Sequence, residues 1–359
     1  MRDFYQHLSE SVNRLRLWIV EGLVRLNLSQ DILFLFFASL VGIGAGYGAV
    51  LFHEALRGVQ ELLFGKLHGL YAAHAWSKYL VAFYPALGGL LVGIIARFAL
   101  PESRGHGVPD VIKAVIARGG YMKSSLALYT TLTSALSIGS GGGAGREGPI
   151  VQIGATIGSA VGQFFRLSSD RLRTLVACGS AGGIAAIFNA PLGGVMFALE
   201  IIVGSFSVRT FSPIVVSSVI ATAIARSHLG DHPTFVATNY NLISNYELLF
   251  YLALGMMTGV VAVWFTRVVF ATENFFASLR RIPKTLQPAV GGLLVGVMLI
   301  WVPSLAGFSY DINNQAIVGE ASILILALVF VLKPIAVGLT LGSGGSGGVF
   351  APALKAGAA

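Results

Sequence analysis

An all-α polytopic membrane protein is the fold class this sequence predicts, built as an inverted-topology repeat with broken and re-entrant helices. Three observations predict it. Of the 359 residues, 55% are hydrophobic and only 11% are charged, whereas an ordinary soluble chain carries about 25% charged residues. Many of the apolar runs are too short to cross a bilayer and begin at Pro or Gly. Two separate motifs recur at one common spacing.

The same composition sets aside several functions. A net charge of +8 would suggest nucleic acid in a soluble protein. In a membrane chain it reflects cytoplasmic loops, which collect Lys and Arg, so no nucleic-acid partner is expected. The single cysteine, Cys178, excludes an internal disulfide. The seven histidines are scattered without metal-ligand spacing, and no Ser–His–Asp arrangement is present. No enzyme, cofactor or metal site is expected. "GAGREG" formally matches GxGxxG but lacks a βαβ context, and no Lys-Ser or Lys-Thr follows it as in a phosphate loop.

Residues 1–30 are charged and predict an amphipathic cytoplasmic helix without a cleavable signal. A bilayer takes about 20 apolar residues. Ile32–His53, Tyr79–Leu100, Tyr246–Phe270 and Pro288–Val302 qualify as spans. Shorter, interrupted helices are expected over Val108–Ala117, Ser124–Ile138, Pro149–Phe165, Leu172–Phe188, Pro191–Phe206 and Ser212–Ala225. Ala321–Leu341 and Val349–Ala359 close the chain. Broken helices at membrane depth are tolerated where they are buried or line a hydrated cavity, which points to a transporter or channel. Arg2, Arg14, Arg16 and Arg25 place the N-terminus in the cytoplasm of a multi-pass protein of the inner (plasma) membrane. Basic residues follow the Tyr246 span, so that span runs opposite to the first.

"PALGGLLVG" from Pro85 recurs as "PAVGGLLVG" from Pro288, and "GSGGGAGREGPIVQIGA" from Gly139 recurs as "GSGGSGGVFAPALKAGA" from Gly342. Both offsets are 203 (288 − 85 and 342 − 139). A weaker echo pairs "LVGIGAGYGAVLF" with "LALGMMTGVVAVWF". Two similar halves of opposite orientation are an inverted repeat, here residues 31–230 and 246–359, the second apparently truncated. Such folds set their substrate site near the midplane, at broken helices in matching positions.

A helix start presents unpartnered backbone N–H groups and roughly half a positive charge. Two such ends at mid-membrane make an anion site from neutral groups, with binding weak enough to allow exit. Three stretches have this character: "GHGVPDV" from Gly105, "GREGPIV" from Gly145 and "GGVFAP" from Gly347. Each sets Pro near a helix start, where its missing N–H costs nothing. Glycine for helix packing alone does not explain Glu147, since an ionisable residue within a span costs on the order of 2.5–3.5 kcal/mol. Ionised, Glu147 competes with an anion for the positive helix end; protonated, it leaves. It can therefore act as both gate and proton carrier. Arg146 reads as a structural partner for an acidic group or a carbonyl.

At these residues the sequence resembles the CLC family of chloride channels and proton-coupled chloride exchangers. "GREGP" is similar to the family's gating-glutamate motif, which implies that Glu147 is the gate. "GHGVPDV" resembles the intracellular-side anion motif, and "GGVFAP" the third motif, implying that the amides of Val349 and Phe350 hold the central anion. "GGIAAIFNAPLGGVMFALE" from Gly182 is also family-like. The resemblance implies a CLC-type homodimer in the lipid bilayer, with a separate chloride pathway in each subunit and protons as a second transported ion. The anion-binding candidates are Gly105, His106, Gly107, Val108, Arg146, Gly148, Val349 and Phe350.

Four departures qualify the resemblance. His106 stands where many members have Ser, leaving coordination, pH-dependent access and a neutral structural role open. Ile201 stands where known exchangers carry an internal proton-transfer glutamate, which is channel-like; the adjacent Glu200 reads as a structural residue near the subunit interior. Lys355 falls where an apolar residue is expected. The chain stops soon after "GGVFAP", before the helix that supplies a tyrosine hydroxyl to the central anion in relatives. The remaining alternatives are a sodium-coupled solute carrier, which also uses inverted repeats and broken helices, and a nonfunctional CLC fragment.

Overall fold

The computed structural model describes residues 29–71, 74, 77–98, 107–232, 234, 244–279, 281–308 and 310–359, with residues 14, 21 and 22 ahead of them. The expected helix over residues 1–30 thus lies almost wholly outside the described residues.

The described chain is helical throughout. The first half holds α1 (Gln30–Gln60), α2 (Phe83–Phe98), α3 (Val108–Ala117), α4 (Ser125–Gly139), α5 (Glu147–Phe164), α6 (Ser169–Phe188), α7 (Pro191–Phe197) and α8 (Val208–Leu229). The second holds α9 (Glu247–Ser278), α10 (Gln287–Trp301), α11 (Asp311–Val318), α12 (Ile323–Gly342) and α13 (Phe350–Ala358). Six helical stretches among the described residues are long and apolar enough to span a membrane.

The expected helices are present, with shifted ends. α1 runs past His53 and continues as a π-helical stretch over Glu61–Leu67. The segment expected over Pro191–Phe206 is α7 followed by a π-helical Ala198–Val203. That stretch carries Glu200 and Ile201, and both are exposed. Glu200 is therefore not an interior residue of this chain. α11 was not expected, because "DINNQAIV" is short and half polar.

Glycine decides how closely these helices pack. A methyl group on Gly154 of α5 would overlap the Gly179 carbonyl of α6, and one on Gly179 would overlap the Gly154 carbonyl. The two backbones touch, as small residues allow in lipid where packing rather than the hydrophobic effect holds helices together. Cys178 is buried at this contact, and Ser217 of α8 donates to its carbonyl at 2.9 Å.

The repeat is visible in contacts that exchange on shifting by 203 residues. Gly89 and Gly93 of α2 abut the Pro288 and Thr285 carbonyls, while Gly292 and Gly296 abut those of Pro85 and Ala82. The two glycine turns fold alike. Gly142 N–H donates to the Ser137 carbonyl and Gly345 N–H to the Thr340 carbonyl, each at 2.9 Å. Gly145 and Gly348, themselves 203 residues apart (348 − 145), form an antiparallel bridge with two N–H···O bonds of 2.7 Å. The similarity breaks down at α9. Its Gly255 and Gly259 meet no atom within 4 Å, and the helix is largely exposed on this chain.

Candidate anion site where three helix starts meet

The Gly145–Gly348 bridge sets the starts of α5 and α13 side by side. Arg146 and Val349 are their caps, and Glu147 and Phe350 their first residues. The start of α3 joins them. Its cap Gly107 has φ +78°, and a Cβ there would stand 2.8 Å from both the carbonyl carbon and the Cα of Gly148. Glycine is needed here on two counts: the backbone is left-handed, and the neighbouring backbone leaves no room. Gly148 in turn abuts Gly348, 2.8 Å from its Cα to a Cβ built on Gly148. The structure therefore brings Gly107, Val108, Arg146, Gly148, Val349 and Phe350 into one region. Gly105 and His106 lie outside the described residues.

Glu147 is completely buried. The Ala351 N–H in the first turn of α13 reaches its Oε2 at 3.3 Å. The Tyr310 hydroxyl donates to its Oε1. Arg146 Nε makes no hydrogen bond and stands 3.9 Å from Oε1, while the guanidinium carbon lies 4.9 Å from the Tyr310 ring centre. The carboxylate thus spans from its own helix to the start of the other, in the position where two helix dipoles favour negative charge. The Phe350 ring makes edge contacts with Phe188 and Phe197 at 6.1 and 6.2 Å, so an apolar wall borders the polar centre. Arg146 also lines a cavity of about 150 Å³, together with His53, Asn189, Arg226 and His232 among others.

Two groups at this centre were not found from sequence. Tyr310 lies 163 residues from Glu147, in a stretch without apolar periodicity. Lys333 hides in an apolar run and is buried on α12, donating to the Leu305 carbonyl at 2.7 Å. Lys355, noted only as a departure, is also buried and donates to the Ser304 and Ala306 carbonyls at 3.2 and 3.1 Å. A tyrosine hydroxyl therefore does reach the site within this chain, although it approaches Glu147 from the turn before α11.

An all-helical membrane protein whose broken helices converge on a buried carboxylate is the class this geometry defines. Comparison with known proteins places it further. The voltage gated chloride channel family model matches residues 88–359. A ClcB-like chloride channel protein of Ralstonia nicotianae is 35% identical over 330 residues, covering 90% of this chain and 76% of that protein. The H(+)/Cl(-) exchange transporter ClcA of Vibrio parahaemolyticus is 31% identical over 336 residues, with 90% and 70% covered. The fold matches the crystal structure of a slow cyanobacterial Cl⁻/H⁺ antiporter with a TM-score of 0.80, at 24% identity, over 92% of this chain and 77% of that one. The chain belongs to the CLC family of voltage-gated chloride channels and Cl⁻/H⁺ exchangers, and is a transport protein rather than an enzyme. The sodium-coupled carrier considered on sequence finds no support in these likenesses.

Proposed function

We propose that this chain conducts chloride across the membrane through the meeting point of α3, α5 and α13, with Glu147 as its gate. The observation that carries the reading is the Glu147 carboxylate itself, which occupies the helix-start position by accepting from the Ala351 N–H. A chloride ion presents the same charge to the same donors, so carboxylate and anion exclude each other there. Protonation removes the carboxylate's claim on those donors and frees the place. Gly107, Val108 and Gly148, with His106 and Gly105 preceding them, supply one approach to the centre, and Val349 and Phe350 the backbone that faces it. Arg146 stands beside the gate and borders a cavity that offers an anion a second approach.

Channel and exchanger share this gate. Apolar Ile201 favours conduction without an internal proton donor at that position, while proton carriage by Glu147 keeps exchange within reach of the same site. The working unit in this reading is a homodimer in the plasma membrane with the N-terminus in the cytoplasm, each subunit holding one pathway and the two repeats 31–230 and 246–359. The test is reconstitution into chloride-loaded liposomes with separate chloride and pH readouts. Chloride efflux supports the reading, and an imposed proton gradient that drives chloride uphill marks exchange. Liposomes that release no chloride under either gradient overturn it.

A further inference from the structure

The turn that carries Tyr310 to the gate is clamped by unusual means. Residues Pro303–Phe308 link α10 to α11, and three successive carbonyls of this turn accept from buried ammonium groups. Lys333 of α12 takes Leu305 at 2.7 Å; Lys355 of α13 takes Ser304 and Ala306 at 3.2 and 3.1 Å. The lysine residues are 1% and 3% exposed. Lysine is almost never buried to this degree unless its charge is partnered, and an ion within a span is costly and commonly functional. The turn is fastened on its other side by Gly307 N–H, which donates to the Gly142 carbonyl at 2.8 Å.

This arrangement makes one body of two donors that meet Glu147. The Ala351 N–H belongs to α13. Lys355, one turn further along α13, holds the turn that presents Tyr310. The two carboxylate oxygens are therefore gripped from a common support, one by each donor. Arg146, stacked on the Tyr310 ring, closes the group from the α5 side.

We propose that Tyr310 is a positioning residue that latches the Glu147 carboxylate in the closed gate, and that Lys355 fixes this latch to the helix whose start the carboxylate occupies. The proposal rests on Glu147 being the gate. Arriving chloride inherits the Ala351 N–H, but the phenol is directed at the carboxylate and must be released for the gate to leave. The charged and titratable groups acting on Glu147 are Arg146, Lys333, Lys355 and Tyr310, with Asp311 beside Lys355.

The experiment measures chloride flux against pH in liposomes holding the whole chain. Tyr310→Phe keeps the ring beneath Arg146 and removes the hydroxyl. A hydrogen bond to a charged group contributes enough that its loss is expected to raise flux at neutral pH by roughly tenfold or more. The pH of half-maximal flux is expected to rise by about one unit or more, one unit being the pH equivalent of tenfold. Lys355→Met is expected to reproduce part of both changes. In a Glu147→Gln background, Tyr310→Phe is expected to change nothing, because the carboxylate it latches is gone. Unchanged flux and pH profile in Tyr310→Phe overturn the latch, as does an equal effect in the Glu147→Gln background, which marks a merely structural tyrosine. A wild-type protein that moves no chloride overturns the transport reading and the latch with it; an active wild type with an indifferent Tyr310→Phe overturns the latch alone.

Discussion

Gly145 and Gly348, 203 residues apart, each donate their N–H to the other's carbonyl at 2.7 Å. This one bridge holds the starts of α5 and α13 side by side at the candidate site. A Cβ on Gly348 would stand 2.6 Å from the nitrogen and 2.9 Å from the Cα of Gly148, and backbone cannot turn aside. Overpacking of this kind costs about 1–3 kcal/mol. Gly348→Ala is expected to lower the melting temperature of the detergent-extracted protein by several degrees and to cut chloride efflux more than tenfold. Thermal unfolding followed by size exclusion, beside a liposome efflux assay, checks both.

The gate reading separates two ions. Glu147→Gln removes the ionisable group while keeping side-chain size. Anion flux is expected to persist, and any coupled proton movement to disappear. Simultaneous recording of chloride and pH in liposomes decides it, and proton coupling that survives the substitution removes Glu147 from the mechanism.

Lys333 tests what a buried ammonium contributes to this fold. Lys333→Met relieves the desolvation of the ammonium but takes the donor from the Leu305 carbonyl, and a buried acceptor left without its donor costs about 1–3 kcal/mol. The variant is therefore expected to fold, with stability lowered by no more than about 3 kcal/mol. Lys333→Glu sets a carboxylate against the Leu305 carbonyl and is expected to yield no monodisperse protein. Fluorescence-detected size exclusion of the two variants, side by side, gives the comparison.

Helix packing through glycine predicts a contrast between two positions that look alike in sequence. Gly179→Ala drives a methyl group into the Gly154 carbonyl and is expected to lose the folded protein or lower its melting temperature by several degrees. Gly255→Ala on α9 meets open space and gains helix propensity, about 1 kcal/mol at most. Its melting temperature is expected to stay level or rise. A thermal shift measurement on both substitutions distinguishes packing from propensity.

Much of the architecture is legible in the sequence. The apolar runs located the helices, long and interrupted alike, and the common offset of the two motifs is also the spacing of the bridged pair Gly145 and Gly348. Glu147 stood out because a carboxylate in an apolar run needs a reason. Tyr310, Lys333 and α11 did not stand out. Tyr310 is an ordinary residue in a polar stretch, and only the folding of that stretch against α5 brings it to Glu147. Lys333 reads as an interruption of α12 until the carbonyl that receives it, on a different element, is seen. Non-local contacts between unlike segments leave no periodicity to detect. Glu200 illustrates the converse: in sequence it reads as a residue near the subunit interior, and it is exposed on the π-helical stretch.

The two buried lysines also bear on how the chain enters its membrane. Leu305 precedes Lys333 by 28 residues, and Ser304 and Ala306 precede Lys355 by 51 and 49. Synthesis runs from N- to C-terminus, so the accepting turn exists before either ammonium group emerges. Each charged side chain thus emerges after the carbonyl that accepts from it. The order of residues along the chain thus doubles as an order of assembly, with the carbonyls laid down first and the charges following.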